Sequence, residues 1–135
     1  MSSSTSNTQY VLLFRGPDWD RGLTREQTQQ TLDRVMVWFG GLQERGIIRG
    51  GNVLDHTGTT ISRERGEVVV DGPYAESKEI LAGYLMLEVG DLEAALAIAR
   101  QCPTLELGVE IEVRPVLAEC PIGKRLREHP ALVTA

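Results

Sequence analysis

A chain of 135 residues, 41% hydrophobic and 24% charged, is long enough to bury the core of one domain. Its net charge of −5, with both signs scattered along the sequence, argues against nucleic-acid binding, which needs a basic surface to displace phosphate counterions. No apolar run approaches the roughly 20 residues needed to cross a bilayer, so no membrane partner is expected.

The basic cluster Lys124, Arg125 and Arg127 is short and flanked by prolines, and reads as part of a solvated tail. Residues 1–8 are rich in Ser and Thr and lack the basic and apolar regions of a secretory signal. They are expected to form a disordered lead, and a cytoplasmic location follows. Cys102 and Cys120 each precede a proline, while His56 and His129 stand alone. That spacing matches no zinc pattern, and no metal or cofactor is indicated.

Tyr10 to Arg15 is an apolar run of strand length, stopped by Gly16-Pro17-Asp18. The following loop carries Trp19, Asp20 and Arg21. Thr24 and Gln27 fit a capping box that opens a helix. Along it, Thr28, Leu32, Val35, Met36, Phe39 and Leu42 recur at three- and four-residue steps, the mark of one buried face. Trp38 lies beside that stripe and is read either as core or as the wall of a ligand cavity. Gly40 and Gly41 sit inside the helix at a cost of about 1 kcal/mol each, and Gly46 suits its end.

Asn52 to Asp55 is expected as a short strand. Thr59–Arg63 and Glu67–Asp71 bracket Glu64-Arg65-Gly66 as a hairpin. In Ile80–Val89, Leu85, Leu87 and Val89 alternate with Tyr84, Met86 and Glu88. Asp91 caps a helix reaching Arg100, stopped by Cys102-Pro103. Val109, Ile111 and Val113 then mark a last half-buried strand. The order predicts an α+β, ferredoxin-like sandwich with both helices on one sheet face. The other face needs cover, which a second copy of the sheet supplies most simply, so a homodimer is expected. The tail from residue 117 onward is an alternative cover.

Between two strands, Asp71 to Glu79 gathers Asp71, Glu76, Ser77, Lys78 and Glu79 behind an Asp-Gly-Pro turn signal. Its charges are either solvated or aimed into a cleft. In the second case Asp71 or Glu76 is the candidate catalytic base, and Trp38, Asp71, Lys78 and Tyr84 border a ligand site. Arg15 and Asp18, at the end of the first strand, read as surface ion pairs or as charges at a pocket mouth.

Asp71-Gly72-Pro73-Tyr74 resembles the signature of the YCII-related domain family, specifically its DGPF-motif branch, with Tyr74 in place of Phe. Tyr10-Val11-Leu12-Leu13, Trp38, Gly50-Gly51, Gly83-Tyr84, Ala99-Arg100-Gln101-Cys102-Pro103 and Glu112-Val113-Arg114-Pro115-Val116 extend the likeness over residues 9–116. The resemblance implies a ferredoxin-like dimeric α/β barrel. Some enzymes of the wider family, including a dehydrochlorinase of a chlorinated hydroquinone, look as though they use a His on the first helix and an Asp before the proline after the second. Here the first helix has no histidine and Cys102 stands before that proline. Three functions compete. In order of preference they are a homodimer binding a small molecule in an inter-sheet cavity, an acid–base enzyme of lyase or isomerase type, and a regulatory module that binds a partner.

Overall fold

The computed structural model describes residues 8–16, 18–55, 57–74 and 81–129. Its central strand is β1 (Thr8–Arg15), followed by α1 (Arg25–Glu44), β2 (Ile48–Val53), β3 (Gly58–Glu64), β4 (Glu67–Tyr74) and β5 (Leu81–Val89). Then come α2 (Leu92–Arg100), a 3₁₀ helix at Pro103–Leu107, β6 (Glu110–Pro115) and α3 (Pro121–Glu128). The main sheet runs β2-β5-β1-β6, and every neighbouring pair is antiparallel. Interleaving β1-α1-β2 with β5-α2-β6 in this way gives the expected ferredoxin-like α+β arrangement. The β3–β4 hairpin is inserted as a separate two-stranded ribbon that packs chiefly on itself.

Strand alternation sorts the side chains onto two faces. Tyr10 and Leu12 of β1 and Leu85, Leu87 and Val89 of β5 meet Ala95, Ile98 and Ala99 of α2 and Leu42 of α1 in one core. Leu12 and Leu87 are completely buried, each contributing roughly 2 kcal/mol of hydrophobic stabilisation. Val11, Leu13, Tyr84 and Met86 occupy the opposite face, where they are half-buried and paired across strands as Val11–Met86 and Leu13–Tyr84. Arg15–Glu112 and Arg49–Glu88 ion pairs lie on the strands around this apolar centre.

The helix ends follow their sequence signals. Thr24 Oγ1 accepts from the Gln27 amide at 3.0 Å while Gln27 Oε1 accepts from the Thr24 amide at 2.9 Å, closing the capping box. Asp91 Oδ1 accepts from the Ala94 amide at 2.9 Å. The buried face of α1 differs from the expected stripe. Met36 is 61% exposed, and Trp38 faces inward with Thr31, Val35, Phe39 and Leu42. The indole decides this orientation, because Trp38 Nε1 donates to the Ile98 carbonyl of α2 at 3.1 Å. That bond satisfies the polar end of the largest side chain on the helix.

Three sequence expectations change. β2 starts at Ile48, ahead of Gly50-Gly51, and ends at Val53. A bulge at Arg49 admits the glycines to the strand, and a Cβ on Gly51 would meet the Tyr84 carbonyl at 2.6 Å. β4 does not turn at Asp71 but continues to Tyr74. At its bulge opposite Gly58–Thr60, Gly72 has φ +136, and a Cβ there would sit 2.7 Å from the Gly58 carbonyl. Gly72 thus serves close strand pairing. Finally, the tail contains α3, started by Pro121 at a position that needs no amide donor.

Gly40 and Gly41 have open space where a Cβ would stand. Gly40→Ala and Gly41→Ala are each expected to stabilise the fold by up to about 1 kcal/mol in chemical denaturation. Gly51→Ala is expected to shift the transition the other way.

Candidate functional site

α1 touches α2 through Trp38 and the 3₁₀ helix through its first half, but stands away from the strand ends. The gap is a cleft of about 650 Å³, open on one side. Its walls come from β1 (Phe14), α1 (Leu32, Val35, Trp38, Phe39), β2 with the residue after it (Ile48 and Gly50 to Leu54), β5 (Ala82 to Leu85), and Cys102, Thr104 and Val109. Glycines 50, 51 and 83 leave backbone rather than side chain on part of that wall. The mouth is lined by Arg15, Asp18, Trp19 and Asp20 from the β1–α1 loop. A largely apolar cleft of this size with few polar groups is the usual form of a small-molecule site.

Three of the inner polar residues are already engaged. Trp38 Nε1 is committed to Ile98, and the buried Cys102 Sγ lies 3.2 Å from Thr104 Oγ1. At the mouth, Arg15 pairs with Glu112 at 3.3 Å and Arg21 with Asp18 at 3.5 Å. Arg15 and Asp18 therefore fill both roles read from the sequence, as surface ion pairs and as lining of a pocket mouth.

The residues singled out from the sequence divide into three groups. Trp38 lines the cleft from α1. Tyr84 also belongs to its lining, although strand alternation directs its ring to the open sheet face, opposite Leu13. Asp71 is exposed on β4, paired in register with Thr60 and outside the cleft walls. Glu76 and Lys78 lie outside the described residues, as does His56. Sequence reading missed Leu32 and Val35 as cleft wall, because their helical period reads equally as core. It also passed over Trp19 and Asp20 beside Asp18, whose one signal was an aromatic residue between two acids just after a strand. Among the described residues, no group of three or more His, Cys, Asp or Glu is gathered to hold a metal.

The two free cysteines sit in contrasting settings. Cys102 is buried in the cleft wall. Cys120 is exposed at the start of α3, where the backbone amides of Gly123 and Ile122 hydrogen-bond to its sulfur and hold the thiol below its ordinary pKa. More thiolate is thus present near neutral pH, and the thiolate is the reactive form. Iodoacetamide is expected to label Cys120 faster than an unstructured peptide thiol, and Cys102 only slowly until denaturant is added. Mass spectrometry of the two peptides checks both rates.

A profile of the YCII-related domain matches residues 10–118. An uncharacterized protein of Rhizobium meliloti (strain 1021) is 30% identical over 105 residues, an alignment covering 72% of this chain and 85% of that protein. With the profile spanning both helices, all six strands and the cleft between them, the chain belongs to the YCII-related domain family.

Proposed function

We propose that this protein binds a small, largely apolar molecule in the cleft between α1 and the strand ends, and that it does so as a homodimer in the cytoplasm. The observation that carries the binding reading is the cleft itself. Its volume of about 650 Å³ lies within the range of sites for drug-sized molecules, and its walls are built mainly from apolar side chains of five separate segments. Asp71-Gly72-Pro73-Tyr74 supports placing the chain in the DGPF-motif branch.

The dimer reading rests on the open sheet face. Val11, Leu13, Tyr84 and Met86 form a contiguous apolar centre with no helix over it among the described residues. Two such faces packed together bury both centres and bring charged borders of mixed sign into contact. The inter-sheet space expected from the sequence would then exist only in the pair, whereas the cleft lies within each protomer. An acid–base enzyme would need a carboxylate of the 71–79 segment at the reacting atoms. Asp71 is exposed on the ribbon, so binding is the reading preferred.

Titration with N-phenylnaphthylamine, a neutral fluorophore, tests the cleft. Leu32→Trp and Val35→Trp each fill it from α1 and are expected to weaken binding by about tenfold or more. Two well-folded variants that bind as the parent does would sink the cleft reading. Asp71→Ala, measured alongside, reports whether the 71–79 segment contributes to the site. Gel filtration at micromolar concentration is expected to give a dimer, and Leu13→Asp a monomer. A monomeric parent would remove the paired-sheet reading without touching the cleft.

A further inference from the structure

The mouth and the wall of the cleft differ in polarity, and that difference bears on the charge of what enters. We infer that the cleft selects cationic amphiphiles, molecules with an apolar body and a protonated amine, with Asp20 receiving the ammonium group beside the Trp19 ring. The inference rests on the cleft being a binding site and adds the chemical class of its ligand.

The charges at the mouth do not cancel. Arg15 has Glu112 at 3.3 Å, and Asp18 has Arg21 at 3.5 Å. Asp20 is exposed, belongs to the lining, and makes no ion pair among the described residues. One carboxylate therefore remains over at the opening, in a chain whose net charge is already −5. Trp19 stands next to it in sequence and shares the same lining. A carboxylate and an indole face are the two groups that attract an organic ammonium ion, the first by charge and the second by its quadrupole. An anion finds the opposite. Arg15 of the lining is already paired with Glu112, and the Trp38 indole donor, with the Cys102–Thr104 pair, is engaged deeper in the wall. A carboxylate brought into the cleft would lose hydration beside Asp20, a charge of its own sign, with only neutral polar side chains such as Asn52 in the lining to receive it.

A matched set of naphthylmethylamine, naphthylmethanol and naphthoate tests this, since the three share one apolar body. Ligand-observed NMR and calorimetry at neutral pH are expected to rank amine above alcohol above carboxylate, with amine over carboxylate by roughly five- to tenfold. Asp20→Asn should cut the amine's advantage over the alcohol by about threefold and leave the alcohol unchanged. Asp20→Lys should favour naphthoate instead, and added salt should shrink every charge-dependent difference. If naphthoate binds as tightly as the amine, or the amine's preference survives in Asp20→Asn, the cation inference is overturned. The cleft reading then still stands, provided that the alcohol binds and Leu32→Trp removes it. If none of the three binds, the cleft reading fails and the inference with it.

Discussion

β1 lies between β5 and β6, and the fold hangs on those two ladders. Its alternate residues Tyr10, Leu12 and Phe14 meet Leu87, Leu85 and Gly83 on one side and Pro115, Val113 and Ile111 on the other. Because the side-chain period of a strand is two, slipping β1 by one residue would carry Leu12 out of the core and Leu13 into it. Both ladders must therefore hold one register together. That register also places Val11 and Leu13 on the face away from the helices, where they leave an apolar surface in need of cover. One constraint thus produces both the core and the open face.

The cleft arises from unequal helix packing on the opposite side. α2 is short, presents Ala95 and Ala99 to the strands, and lies close against them. α1 is held by the Trp38–Ile98 hydrogen bond and by the 3₁₀ helix. Its bulky Trp38 and Phe39 help to keep the helix axis away from the strand ends, where Gly50, Gly51 and Gly83 project no side chain to fill the gap. The large residues of the helix and the missing side chains of the strands together make the space. The β1–α1 loop, leaving the end of the central strand, then sets Arg15, Asp18, Trp19 and Asp20 around its opening.

The His–Asp pair that the resemblance implied for some relatives is absent from the positions read for it in the sequence, since α1 has no histidine and Cys102 precedes the proline after α2. Cys102, which stands where the acid would be, is buried in the cleft wall against Thr104.

Local patterns were enough to place α1, α2 and the strands β1, β5 and β6. Thr24 and Gln27, Asp91, and the alternation through Leu85, Leu87 and Val89 all involve residues within a few positions of each other, so their hydrogen bonds and faces follow from spacing. The ferredoxin-like order was legible for the same reason. Other features depended on neighbours distant in sequence. Gly51 and Gly72 read as breaks because a glycine alone does not reveal the strand that passes within van der Waals contact of it. Trp38, and not Met36, turned inward because its donor found a carbonyl 60 residues away. The 71–79 segment drew attention by its density of charge, and its resemblance to the family held. Yet Asp71 lies on an exposed ribbon, while Asp18, Trp19 and Asp20 lie at the cleft. Charge density along a chain is a one-dimensional property. Which charges border a cavity is decided by the packing that encloses it.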